Sequence, residues 1–234
     1  MPGDSYYAQK LSAERLRLCY EIAPPRIRQY LEAEIEFVLG KIKPSDSVLE
    51  LGCGYGRVLK EILKKAKTVI GIDISDASLR LLREEMGENP SCQVLEMDAA
   101  LLGFRHEPFD VVVCIQNGLS AFQVDKRRVI EEAMRVTRPG GTVLFSSYSE
   151  RFWDDRLGWF RLQSELGLVG EIDDAATGHG VIVCKDGFRA STVGPEAFIS
   201  LTSGLNIEPI VTEVDGSSVF YEICAGQGKN RSGG

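Results

Sequence analysis

Little in this sequence of 234 residues points towards a membrane, a metal or a nucleic acid. No stretch approaches the ~18 consecutive apolar residues that a spanning helix needs, so no membrane partner is expected. The cysteines, Cys19, Cys53, Cys92, Cys114, Cys184 and Cys224, contain no Cys-x-x-Cys pair, and most fall in apolar strand-like runs. They read as reduced core thiols, which excludes a disulfide frame and a zinc site, and no metal is expected. Positive charge is also scarce: the net charge is −7, and without a basic field a nucleic-acid partner is not expected. Histidine is nearly absent, with only His106 and His179 as possible imidazole bases. The opening MPGDSYYAQK is polar and acidic where an export leader is basic and then apolar, so the expected compartment is the cytoplasm.

What the chain has is glycine in a particular place. Residues 47–58 read SVLELGCGYGRV, an apolar strand that ends at Glu50 and runs into Gly52, Gly54 and Gly56 before a helix begins near Arg57. Glycines at alternate positions let the backbone adopt positive φ and approach a ligand that any Cβ would push away. The dinucleotide fingerprint G-x-G-x-x-G fits poorly, because the sixth position counted from Gly52 is Arg57. About 20 residues on, a second apolar strand ends at Asp73, placed to accept hydrogen bonds from ribose hydroxyls.

Beyond the glycines, strands alternate with helices: strand 48–51, helix 57–66, strand 68–73, helix 76–87 with Ser75 as N-cap, strand 92–96, strand 109–115, helix 125–136 and strand 141–147. Such alternation predicts a parallel sheet covered on both faces, with a ligand at the carboxyl ends of the strands. Two helices precede it, over 10–23 and after the break at Pro24 and Pro25, and form an N-terminal cap over residues 1–42. Residues 151–166 read as an amphipathic helix carrying Trp153, Trp159 and Phe160 as lid candidates. Asp186-Gly187 predicts a hairpin inserted at about 179–193, Pro195 starts a short helix, and two strands flank Asp215-Gly216. The main domain is expected to cover residues 43–225 and the polar tail 226–234 to be disordered.

The pattern E-x-G-x-G-x-G after an apolar strand resembles motif I of the class I S-adenosylmethionine-dependent methyltransferases. The likeness continues in order through TVIGIDIS at 68–75, CQVLEMDAA at 92–100, FDVVVCIQNGLSAF at 109–122 and RVTRPGGTVLFSSYS at 135–149. It is dense over about 45–150, and the layout is similar to the ubiquinone-biosynthesis and glycine N-methyltransferase types. The resemblance implies a Rossmann-like, doubly wound, mostly parallel seven-stranded α/β sheet with an antiparallel edge. It also implies S-adenosylmethionine as cofactor, with S-adenosylhomocysteine as product, and a cofactor site of Glu50, Gly52, Cys53, Gly54, Asp73, Ile74, Asp98, Ala99 and Gln116. Of these, Glu50, Gly52 and Gly54 face the amino-acid portion, Asp73 the ribose, and Asp98 with Ala99 the adenine.

Methyl transfer needs donor and acceptor held in line and no protein nucleophile, so the sequence says less about catalysis. Where an acceptor must lose a proton, His179, Asn117 and Tyr148 are the candidate catalytic groups. Tyr6, Tyr7, Tyr20, Asn117, Tyr148 and Trp153 are candidates for the substrate pocket. The loop Ile115-Gln116-Asn117-Gly118 departs from the N/D-P-P-Y/F sequence of enzymes that methylate planar nitrogens of macromolecules, which favours a small-molecule acceptor. An inactive nucleoside-cofactor-binding subunit and an NAD(P)-dependent oxidoreductase are the alternatives.

Overall fold

The computed structural model describes residues 6–105 and 108–226. Helices α1 (Tyr6–Gln9), α2 (Ala13–Glu21) and α3 (Pro25–Lys41) lead into the strands β1 (Ser47–Leu51), β2 (Thr68–Asp73), β3 (Cys92–Glu96), β4 (Phe109–Cys114) and β5 (Thr137–Tyr148). Between them run α4 (Arg57–Leu63), α5 (Asp76–Met86), α6 (Gly118–Ala121) and α7 (Lys126–Val136). A 3₁₀ turn and α8 (Trp153–Glu165) follow, then the short hairpin β6 (Ile182–Val183) and β7 (Arg189–Ala190), α9 (Pro195–Thr202), β8 (Ile210–Val214) and β9 (Ser218–Cys224).

The seven-stranded sheet has the order β3-β2-β1-β4-β5-β9-β8. All neighbours from β3 to β5 are parallel, and β9 runs antiparallel to both β5 and β8. This is the expected Rossmann-like sheet with its antiparallel edge, and the order reverses between β1 and β4, where such sheets open a crevice. One apolar layer, with Leu49, Val112 and Phe145, fills one face of the sheet. Another, with Val48, Leu59, Val113 and Phe220, joins the opposite face to α3, α4 and α5.

Local chemistry accounts for the element ends. Ser75 caps α5 by accepting from Ser78 N–H, and Asp125 caps α7 by accepting from Arg127 N–H. Pro25 sits at the first turn of α3, where its missing donor costs nothing. The first long helix starts later than the expected 10, at Ala13, because the Ala13 N–H is taken by Ser78 Oγ at 2.9 Å in a backbone with φ 49°. Pro139-Gly140-Gly141 is not a turn ahead of β5 but an irregularity inside it. The β4–β5 register slips between Phe109 and Val111, and a Cβ on Gly141 would meet Asp110 O at 2.7 Å. The inserted hairpin is shorter than the alternating pattern predicts. Buried Arg156 takes the carbonyls of Gly180 and Ala190 at 3.0 and 2.9 Å, diverting backbone acceptors from a longer ladder.

A third apolar cluster lies off the sheet. It joins Leu11 of the α1–α2 link and Cys19, Ile27 and Tyr30 of the N-terminal helices to Trp159 and Phe160 of α8 and to Ile182 and Phe188 of the hairpin. Helix α8 is not the simple amphipathic helix expected, since Arg156 and Gln163 share its buried face with Trp159 and Phe160. No described helix is long and apolar enough to cross a membrane. The tail from 227 and His106 lie outside the described residues.

Candidate functional site

The glycine loop after β1 is built by its own backbone. Gly52, Gly54 and Gly56 have φ of 75°, 53° and 85°, a region that side chains with a Cβ rarely adopt. The N–H groups of Gly52 and Cys53 both donate to Ile72 O, at 2.8 and 2.9 Å, which pins the loop to the end of β2. Asp73 completes the brace: Oδ2 accepts from Gly54 N–H at 2.9 Å and Oδ1 from Ser75 N–H at 2.8 Å. A carboxylate has about four acceptor positions, so these donors leave acceptor capacity for a ligand hydroxyl. A Cβ on Gly56 would lie 2.2 Å from Leu82, so this third glycine serves the packing of α4 against α5.

Above the loop lies a cavity with about 1220 Å³ of empty space, its open mouth included. The sheet side contributes Glu50, Gly52, Cys53, Gly54, Asp73, Ile74, Gln116 and, at the end of β5, Tyr148, and the covering side contributes Leu16, Tyr20, Trp159, Phe160 and Gln163. Seven of the nine cofactor positions read from the sequence therefore meet at one wall. Asp98 and Ala99 do not line it: Asp98 Oδ1 accepts from Ala100 N–H at 2.8 Å, and Ala99 is buried in the sheet core. Phe122, just beyond α6, packs on that same core and lays its ring against Gly52, 2.9 Å from where a Cβ would stand.

The substrate and catalytic candidates divide. Tyr20 and Tyr148 line the cavity. Tyr6 does not; its hydroxyl donates to Asp186 Oδ2 at 2.5 Å and ties α1 to the hairpin turn. Trp153 also stays outside the lining, its ring 5.9 Å from the Arg156 guanidinium, and the side chain of Tyr7 lies outside the described part. His179 is exposed on the hairpin loop and away from the cavity. Asn117 borders the cavity, but its amide is engaged: Nδ2 donates to Ser191 O at 2.8 Å and Oδ1 accepts from Ser147 Oγ at 2.9 Å. That arrangement joins the loop after β4 to β5 and the insertion. Burial raises the Tyr148 hydroxyl far above its ordinary value, so at neutral pH it donates a proton to hydrogen bonds and does not abstract one.

Electrostatics set this cavity apart from an ordinary core. Glu50 is buried with Oε2 unpartnered, and desolvation pushes its pKa up to about 8, opposed by the nearby Arg57. Asp73 is raised in the same direction by burial, against the pull of its backbone donors. The Cys53 thiol is pushed well up by burial, which leaves it an unreactive core thiol. Glu34 of α3 is a group that the sequence reading missed. Fully buried, it accepts from Gln116 N–H at 2.8 Å, and desolvation lifts its pKa to about 7. Its signal was present: Glu34 falls four residues from both Tyr30 and Val38, on the apolar stripe of its helix. Arg57 and Gln163 were missed too, and neither spacing nor neighbours mark them.

These groups fit S-adenosylmethionine on observations of the fold itself. Asp73 presents its carboxylate at the end of β2, and buried Glu50 Oε2 and Gln116 Nε2 lack partners that a ligand supplies. Among the described residues no group of three or more His, Cys, Asp or Glu side chains converges to hold a metal.

Comparison with known proteins agrees with this geometry. Residues 48–141 match the family described as a methyltransferase domain. The chain is 29% identical over 142 residues to 2-methyl-6-phytyl-1,4-hydroquinone methyltransferase of Synechocystis, covering 57% of this chain and 43% of that protein. It is 34% identical over 147 residues to the tRNA N(3)-methylcytidine methyltransferase Mettl2 of Drosophila melanogaster, covering 58% and 43%. The chain thus spans less than half the length of either relative. In three dimensions it resembles the N-methyltransferase NodS of Bradyrhizobium japonicum, solved with S-adenosylhomocysteine, at a TM-score of 0.59 and 15% identity, over 93% of this chain and 95% of that one.

Proposed function

The chain carries a class I S-adenosylmethionine-dependent methyltransferase domain, and from that premise we propose that it transfers a methyl group to a small-molecule acceptor held beneath its N-terminal cap. The observation that carries this reading is the cavity itself: one wall is the glycine loop with Asp73 and Glu50, and the facing wall is aromatic and belongs to the cap and α8. A covered pocket lined by Tyr20, Tyr148, Trp159 and Phe160 suits a compact, partly apolar guest.

Each residue then has a physical task. Gly52 and Gly54 let the amino-acid portion of the cofactor approach the backbone, and Glu50 Oε2 accepts from its ammonium group. Asp73 accepts from the ribose hydroxyls while holding the loop through Gly54 N–H. Ile74 supplies an apolar surface for the adenine, and Asp98 lies outside the cavity lining. The bound cofactor supplies an electrophilic methyl, and the protein supplies alignment and dryness, for which effective molarities can reach roughly 7–11 kcal/mol. Glu34 fixes the Gln116 backbone at the end of β4 and so positions the acceptor side of the loop.

A second reading, an RNA acceptor, is supported by the likeness to a tRNA methyltransferase and opposed by the net charge of −7. The deciding experiment measures S-adenosylhomocysteine formed from S-adenosylmethionine with the small-molecule and RNA fractions of a cell extract, assayed apart. Turnover with small molecules alone is expected. Turnover with RNA alone overturns the acceptor class, and cofactor binding with no turnover in either favours an inactive cofactor-binding subunit.

A further inference from the structure

The cavity holds a cation that the cofactor assignments above leave unused. Arg57, the residue after the last loop glycine, lines the cavity with its Nε and Nη2 buried and without a hydrogen-bond partner among the described residues. Two other arginines of the fold direct their guanidinium groups to backbone carbonyls. Arg135 donates to Leu102 O, Phe104 O and Glu132, and Arg156 donates to Gly180 O and Ala190 O. A guanidinium cannot shed its proton to escape burial, so an unpartnered buried one incurs a desolvation cost that an incoming anion would relieve.

The position of Arg57 says which part of a ligand it meets. Its guanidinium lies 4.8 Å from the ring centre of Tyr20 on α2, and that ring is 5.8 Å from Trp159 and 6.1 Å from Tyr55. The donor therefore stands on the aromatic, cap-covered side. On the sheet side, the unpartnered carboxyl oxygen is Glu50 Oε2, an acceptor that suits an ammonium donor. A planar fork of donors beside a cluster of tilted aromatic rings matches a carboxylate attached to a flat body.

We propose that Arg57 anchors an anionic group of the acceptor, making the substrate class a small carboxylate-type acid with an aromatic or flat apolar body. This rests on the methyltransferase reading. Because a pocket built to pair a charge rejects the uncharged analogue, acid and amide forms of one compound should be told apart strongly.

The test begins with titration of S-adenosylhomocysteine into the wild-type protein; no binding overturns the methyltransferase reading itself, before any acid is added. The saturated protein is then titrated with benzoate and with benzamide, an aromatic acid and its uncharged isostere. Benzoate is expected to bind at least about tenfold more tightly. Arg57→Met should abolish that preference and Arg57→Lys retain part of it, while affinity for S-adenosylhomocysteine stays within about twofold in both. Equal or absent binding of the two probes, or a preference that survives Arg57→Met, overturns the inference. A loss of about tenfold or more in S-adenosylhomocysteine affinity assigns Arg57 to the cofactor's own carboxylate and overturns it too. Thermal melts of both variants confirm folding.

Discussion

The two walls of the cavity are held together by different physics. The glycine-loop wall is made of backbone: Gly52 and Cys53 donate to Ile72 O, Gly54 donates to Asp73, and β1 sits between β2 and β4 in parallel register. The cap wall is made of side chains. Trp159 Nε1 donates to Cys19 O at 3.0 Å, Arg15 Nε to Leu168 O at 3.1 Å and Tyr6 to Asp186, and between them aromatic rings fill the space. A backbone frame of this kind opens only with the whole domain, whereas a cap pinned by a few long-range side-chain contacts opens locally at lower cost. The arrangement gives the site one rigid wall and one able to admit a ligand.

Trp159→Ala gives the largest expected break between the two. A buried Trp truncation costs about 3–5 kcal/mol, and the loss should fall on the cap. Hydrogen exchange is expected to show α2 and α8 losing protection while β1 and β4 keep theirs; uniform loss would mean that the walls form one cooperative unit. Asp73→Ala attacks the other wall. Affinity for S-adenosylhomocysteine should fall about a hundredfold or more by calorimetry, with destabilisation of about 1–3 kcal/mol from the orphaned Gly54 and Ser75 donors. Unchanged affinity would remove the ribose assignment.

Glu50→Gln sharpens the comparison through pH. Burial raises the folded pKa of Glu50 to about 8, above its unfolded value, so the folded state binds more protons between roughly pH 4.5 and 8. Stability contributed by this protonation is present below the unfolded value and lost as pH rises through 8. The variant should melt higher than wild type at pH 8.5, by an amount worth a few kcal/mol, and match it near pH 4. Parallel melting curves across that range would show that Glu50 is not held in a desolvated site. Phe122→Ala, the smallest change, should raise S-adenosylhomocysteine affinity a few-fold by freeing the face of Gly52. Weaker binding would instead make Phe122 part of the cofactor's wall.

The same division explains what the sequence revealed. Strands β1 to β4, their helices and the positive-φ glycine loop were legible because period, caps and glycines act over a few residues, whereas the brace from Asp73 to Gly54 N–H spans 19 residues and was not. Tyr20 and Trp159 could be named as pocket and lid candidates, but nothing local says that they line the cavity, with Arg57 against Tyr20, while Trp153 and Tyr6 turn away. His179 looked well placed from the hairpin signal, yet a two-residue ladder leaves it on the surface. Glu34 was readable in principle, as an acid on an apolar stripe. Its partner, Gln116 N–H, lies 82 residues away in the chain, where only tertiary packing could bring it.

The central claim is that both walls close on a single nucleoside cofactor. Hydrogen exchange with and without saturating S-adenosylhomocysteine tests it most directly. The account predicts new protection at the Gly52–Gly54 loop and, together with it, along α2 and α8, with one ligand bound per chain. Protection confined to one wall, or no binding, would contradict it.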